Sequence, residues 1–463
     1  MSAEQRVLGA FEKYQVSLQL VKCYGAVAHT AVIHHAPRRS SSDVKEYYLG
    51  RLHPALARLV EKHPLLSVAV RDVDKPTVCY VTIPDFDLES IVTFGELAFW
   101  EADAQAHRLA EQCDKEFDLD DQSLPLWRLH IDTHPDRLEE CSVTVAIHHG
   151  MADGKSLSIF WHELMQHLNS NISPFQCQGP YIIHSNRSPI NPPFEERNGP
   201  TLGFVDGIKY KASKLFPSWF ETPKNAWQGD RPAIMDKDRS RHDTGVRVIK
   251  LGGPAWPKIC ETAKEHGVTP HAAIMAVVLL AFVQVYPDEQ VLETYTPINC
   301  RPFCQPSIPG DEMGNFIGSY AKVWTLQSLK NKYDTSSFWE LAELYHANLR
   351  ANKIEAAKEV RYLQLQSRYP EDFCEPWYEK WQTCRMGRSG GIEFSDLGRS
   401  NLMNVREVYF CQSAQMFTIG WGVNTISTKD CMYATLSFQK GALDETKLEA
   451  FGPAILAKLE ASI

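Results

Sequence analysis

The sequence predicts an α/β protein built as two domains, on three observations. Short β-runs alternate with amphipathic helical stretches from end to end, the pattern of helices covering sheets. At 463 residues the chain exceeds what one hydrophobic core usually organises. Between residues 173 and 200, Pro174, Pro180, Pro189, Pro192, Pro193 and Pro200 fall in a polar run that cannot hold a regular element for long. The division that follows is a first domain over 1–185, a crossover and arm over 186–245, and a second domain over 246–463.

In the first domain, His34-His35 reads as the end of a strand. Leu52–Val70 fits an amphipathic helix with a stripe of Leu56, Leu59 and Val60, stopped by His63-Pro64, and then a strand. Val78–Ile83 and Pro125–Ile131 are further β-runs. Ser142–Ile147 alternates small polar and β-branched residues, as a strand packed on one face does. Lys155–Leu168 follows as a helix, with Leu157, Phe160, Trp161, Leu164 and Leu168 on one face. The crossover is expected to lie ordered against the surface, and Lys209–His242 to form a flexible loop or an arm.

The second domain opens on the alternating strand Val246–Leu251. A helix over Trp256–His266 ends at Gly267. Thr269-Pro270 starts another, with Thr as N-cap and Pro at the first helical position. That helix, through Val285, is apolar on most faces and is expected to be buried. Val291–Ile298 is a strand, and Ser336–Lys358 a mostly solvated helix. Gln415–Ile426 and Met432–Phe438 are expected to form an antiparallel pair, and Glu445–Leu459 a closing helix.

Composition narrows the class. Hydrophobic residues make up 44% and charged residues 23%, ordinary for a globular protein. A net charge of −9 argues against general nucleic-acid binding. No apolar stretch reaches membrane-spanning length, and the first ten residues lack a secretory apolar core, so a cytoplasmic protein is expected. Twelve cysteines are scattered with no C-x-x-C pair, which speaks against a zinc site or a disulfide framework.

The chemistry concentrates in S-V-T-V-A-I-H-H-G-M-A-D-G, Ser142–Gly154. His148 and His149 stand at the end of a strand, Gly150 lets the chain turn, and Asp153-Gly154 opens the next helix. A strand end fixes the backbone while an imidazole faces a cleft, which suits a general base. Two other patterns carry less. Gly387–Gly391 matches G-x-S-x-G, but no buried strand precedes it and a β-run follows, the reverse of a hydrolase elbow. His148, His149 and Asp153 lack the spacing of a catalytic zinc site, so no metal is expected.

The H-H-x-x-x-D-G run resembles the signature of the CoA-dependent acyltransferase superfamily. P-L-W-R-L-H-I at 125–131, P-I-N-C-R-P at 297–302 and M-G-N-F-I-G at 313–318 resemble its other pieces in the same order. The opening segment and G-G-I-E-F-S-D-L-G at 390–398 are similar to fungal alcohol acetyltransferases, although Asp396 stands where their S-N-L-G pattern has Asn. No D-F-G-W-G of the plant branch is present; Gly420-Trp421-Gly422 matches only part of it.

The resemblance implies a chloramphenicol-acetyltransferase-like fold of two mixed sheets flanked by helices. A tunnel would run between the halves, and the 390–440 region would cross towards the first half. Acyl-CoA, most simply acetyl-CoA, would enter as a co-substrate rather than a bound cofactor, and a small alcohol or secondary-metabolite hydroxyl would be the acceptor of a monomeric enzyme. His149 would be the base and His148 a support. Asp153 at the helix mouth would pair with Arg301 and hold the loop at Gly154, against the alternative of a carboxylate polarising His149. Ser395, in a loop over Gly390–Gly398 that in the resembling enzymes crosses towards the histidine, would be an oxyanion donor. No CoA-contacting residue follows from the sequence. Two alternatives stay open: N-acylation or condensation from a carrier protein, and a non-catalytic binding protein of the same fold.

Overall fold

The computed structural model describes residues 5–38, 44–169, 180–185, 188–215, 225–235, 242–334 and 337–462. The fold is mixed α/β, with two main sheets. In the first sheet the strand order is Val405–Gln412, Val27–His34, Glu140–Ile147, Trp127–Thr133 and Val92–Glu96. All its pairs are antiparallel except the last. Glu140–Ile147 lies in the middle and is buried along its whole length, because helix Gly154–Asn169 covers one face with Leu157, Phe160, Trp161 and Leu164. Helix Val44–Lys62 packs on that helix in turn.

The second sheet runs Thr244–Leu251, Met432–Gln439, Trp421–Ser427, Ile392–Arg399, Val291–Asn299 and Ile317–Thr325. Ile392–Arg399 is parallel to both its neighbours, and the remaining pairs are antiparallel. Behind the sheet lies helix Pro270–Val285, apolar on every face and buried between helices Phe338–Lys358 and Glu445–Glu460. Thr269 caps it, its Oγ1 accepting from Ala272 N at 3.3 Å, with Pro270 at the first position. No single helix among the described residues is long and apolar enough to cross a membrane.

The halves exchange chain. Val405–Gln412 leaves the second half and pairs with Val27–His34 along the edge of the first sheet. Val408, Tyr409, Phe410 and Cys411 therefore belong to the first core, while Phe11 and Phe194 join the second.

Three expectations need correction or bounding. Gly390–Gly398 is not a loop: Ile392–Arg399 is a strand, with Ile392 and Phe394 fully buried and Glu393 and Ser395 on the opposite face. Only Gly390 and Gly391, at φ 95° and 83°, form the turn into it, and the β-run read after Gly391 is this strand rather than the loop that the resemblance implied. The strand placed at Gln415 begins at Trp421, since Thr418 N bonds back to Gln415 O in a turn. Helix Phe338–Lys358 buries a stripe of Phe338, Leu341, Ala342, Tyr345 and Leu349, while most of its other residues are exposed, as expected. Of the stretch given to the crossover and arm, residues 170–179, 186–187, 216–224 and 236–241 lie outside the described residues. The described part holds strand Ile182–His184, paired with Asp85–Asp87, and helix Phe204–Leu215.

Candidate active site

His148 and His149 follow directly on Ile147, so the central strand of the first sheet fixes their backbone. The two rings have opposite environments. His148 is buried against the Phe117 ring, and its Nδ1 accepts from Gly150 N at 3.0 Å. Burial, with the neighbouring His149 and Arg128, brings its pKa down to about 3, which holds it neutral. At Gly150 a Cβ would lie 2.9 Å from that same Nδ1, so only glycine permits so close a turn.

His149 donates from Nδ1 to the Ala152 carbonyl at 3.0 Å. That bond selects the tautomer whose Nε2 carries the lone pair. Burial lowers its pKa below the usual histidine value, and the Ala152 carbonyl and Asp153 oppose the shift. The ring is therefore neutral at pH 7. Its main chain is held from across the domain boundary, Asn315 Nδ2 donating to His149 O at 2.6 Å.

Asp153 lies fully buried at the mouth of helix Gly154–Asn169. Oδ1 accepts from Ser156 N at 2.8 Å and from Arg301 Nη2 at 3.2 Å; Oδ2 accepts from Arg301 Nη1 at 2.7 Å and from Phe316 N at 3.0 Å. Arg301, 1% exposed, also donates to the Glu312 carbonyl and stacks on the Phe316 ring. Asp153 thus ties the strand–helix turn to the second half. No hydrogen bond joins it to His149, whose Nδ1 is already occupied by Ala152.

Two cavities meet beside these groups. The larger, about 500 Å³, is lined by His29, Trp161, Asn299, Asp396 and Leu397, with Lys155, His162 and Arg399 exposed at its mouth. The smaller, about 290 Å³, contains His149, Tyr24, Gln15, Glu393 and Gln412 among apolar walls. Gly154, Pro297, Ile317 and Ser395 line both. Ser395 therefore sits in the partition, in the same cavity as His149, although it comes from the second sheet. Leu397 closes on the same place: a Cβ on Gly154 would stand 2.5 Å from Leu397 Cδ2.

Sequence reasoning missed several of these groups. Asn315 lay within M-G-N-F-I-G without a role, while Tyr24, Glu393 and Gln412 gave no signal, because a cavity wall formed by three separate elements has no sequence period. Asp396 has an evident use. Its carboxylate meets His271 Nδ1 at 3.1 Å and accepts from Thr425 Oγ1 and Gly398 N, both at 2.9 Å, which fastens the strand to helix Pro270–Val285. Among the described residues no cluster of three His, Cys, Asp or Glu side chains could hold a metal ion.

A family described as alcohol acetyltransferase matches residues 103–453. No curated protein matches the chain. Solved structures match it over nearly its whole length. Trichothecene 15-O-acetyltransferase from Fusarium sporotrichioides is 13% identical, with 99% of this chain and 95% of that one covered and a TM-score of 0.69. The condensation domain of Monacolin K polyketide synthase is 11% identical, with 99% and 97% covered and a TM-score of 0.59. Polyketide synthase associated protein 5 from Mycobacterium tuberculosis is 15% identical, with 99% and 98% covered and a TM-score of 0.57. At these identities the likeness is one of fold.

Proposed function

The chain belongs to the alcohol acetyltransferase family and is an acyltransferase; from that premise we propose that it transfers an acetyl group from acetyl-CoA directly to the hydroxyl of a small alcohol, with His149 as general base. The observation that carries this is the pair of cavities of unlike charge that share Ser395 and Gly154 beside the neutral His149 ring.

The larger cavity suits acyl-CoA. Its mouth bears the exposed cations Lys155 and Arg399, and phosphates are held by such cations. Of its acids, Asp153 is already matched by Arg301, and Asp396 accepts from Thr425 and Gly398 and meets the His271 ring. Deeper in, His29 is 1% exposed with both ring nitrogens unpartnered. Burial takes its pKa to about 3, so it presents a neutral donor and acceptor to an amide-bearing chain. The smaller cavity, with acids and no lysine or arginine in its wall, disfavours CoA and suits the alcohol.

In the reaction, His149 Nε2 takes the hydroxyl proton as the alcohol oxygen attacks the thioester carbonyl. Ser395 Oγ donates to the oxyanion. The intermediate collapses by breaking the C–S bond, and the departing thiolate receives the proton from His149. No acyl-enzyme forms. A base so placed contributes about 10²–10⁴-fold. Asp153 and Arg301 hold the turn that carries the histidine, and His148 supports it from behind.

The test is to incubate the protein with acetyl-CoA and a panel of primary and secondary alcohols, and in parallel with an acetylated carrier protein. The proposal expects free CoA and ester in equal amounts, with acetyl-CoA the better donor. Acyl transfer from the carrier protein alone, or CoA release no faster than hydrolysis for every alcohol, would overturn it.

A further inference from the structure

We propose that the smaller cavity is built for an alcohol bearing a protonated amine, with Glu393 as the group that receives the ammonium; this rests on the acyltransfer reading above. Glu393 lines the cavity two residues before Ser395 on the same strand face. Its Oε1 accepts from Gln412 Nε2 and from Gln415 Nε2. Oε2 has no hydrogen-bond partner among the described residues, and no lysine or arginine lines the cavity.

The surroundings hold that carboxylate in place without neutralising it. Gln412 Oε1 accepts from Tyr24 Oη at 3.2 Å, and its Nε2 also donates to Asn424 Oδ1 at 3.0 Å, so the amide is fixed with its donor end towards Glu393. Burial raises the Glu393 pKa, and the two glutamine amides only partly oppose this. A buried carboxylate lacking a cation is costly, and an ammonium ligand supplies the missing charge. Gln15 points to the same chemistry independently. It lines the same cavity, is 6% exposed, and its Oε1 has no partner, leaving a second acceptor for an N–H donor. Glu359 adds a carboxylate at the mouth, so the entrance favours cations as well.

The strand sets the spacing. Residues two apart on one face lie about 6–7 Å from each other, so a hydroxyl reacting beside Ser395 would place the nitrogen about four to six bonds away. The probe is 5-(dimethylamino)pentan-1-ol, whose tertiary nitrogen cannot be converted to a neutral amide, against its carbon isostere 6-methylheptan-1-ol. Acetyl-CoA-dependent ester formation is measured with wild type and Glu393→Gln, and binding of the amino alcohol by calorimetry. Wild type should prefer the amino alcohol, and Glu393→Gln should lower that preference in kcat/KM by about 10–100-fold, the range of a hydrogen bond to a charged group. A wild-type enzyme that uses both alcohols equally, or a preference that survives Glu393→Gln, would overturn the proposal. Binding of the amino alcohol that depends on Glu393 without acetylation of either compound would sustain the cation site and remove the O-acetylation reading. Failure of the amino alcohol to bind would remove the cation site.

Discussion

Replacing Asp153 with Asn separates a structural carboxylate from a catalytic one. The change keeps the volume and removes the charge. Oδ1 faces the Ser156 N–H, while Oδ2 faces the Phe316 N–H and the Arg301 fork. An amide nitrogen at either position therefore sets donor against donor, and Arg301 is left buried without its counter-charge. Breaking a buried pair from one side typically costs about 3–5 kcal/mol. For domains of this size, that corresponds to a fall of roughly 6–20 °C in Tm. Scanning calorimetry and thiol-release activity on the same preparation measure both quantities. Arg301→Met added to Asp153→Asn should recover part of the Tm, since it removes the stranded charge. The advantage of wild type should also depend on pH in a defined direction. Burial alone would raise the Asp153 pKa, but Arg301 and the Phe316 and Ser156 amides outweigh it and the net shift is downward. A depressed folded pKa contributes stability that is present above the unfolded carboxylate value of about 4 and is lost as pH falls through the folded one. The stability gap between wild type and variant should therefore narrow only in acid. Asp153→Asn with an unchanged Tm and a loss of turnover of several orders of magnitude would refute this and make the carboxylate part of the chemistry.

Three further outcomes follow from the site. Because burial lowers the His149 pKa, kcat/KM should rise with pH through an inflection below about 6.5 and stay level above it; an inflection above pH 7 would contradict a neutral base. Ser395→Ala should lower kcat by about 10²–10³-fold, as loss of one oxyanion donor does, with acetyl-CoA affinity measured by calorimetry little altered. Gly154→Ala should push Leu397 into the partition and lower activity at a cost of about 1–3 kcal/mol in stability, and Leu397→Ala in the same chain should restore part of the turnover.

Much of the fold was legible because its signals are local. Thr269-Pro270 marks a helix start by backbone chemistry alone, and the 142–154 run shows a strand, a turn and a helix mouth in thirteen residues. Elements whose signal depends on distant partners were not found. Val405–Gln412 reads V-R-E-V-Y-F-C-Q, polar at one end and apolar at the other, because only its second part is buried against Val27–His34. Ile392–Arg399 alternates and is legible as the β-run after Gly391, whereas the loop implied there by the resemblance does not form. Helix Ala102–Asp114 buries Ala106, Leu109, Ala110 and Cys113, a helical spacing present in the sequence and passed over, since two alanines and a cysteine make a weak stripe. At the site, residues joined by one motif were recognisable as candidates. The surroundings of Glu393 arise only when its strand meets Gln412 on the edge of the first sheet and Tyr24 behind it.

The central claim is that a neutral His149 takes the proton in a direct transfer, and the most direct measurement is single-turnover acetyl transfer from acetyl-CoA to an alcohol in wild type and His149→Ala, with the acetyl-CoA dissociation constant determined for both. The account predicts a rate lower by about 10²–10⁴-fold in the variant, an unchanged dissociation constant, and no acetylated protein in either. A variant retaining more than about a tenth of the wild-type rate, or an acetyl group covalently bound to the wild-type chain before alcohol is added, would contradict it.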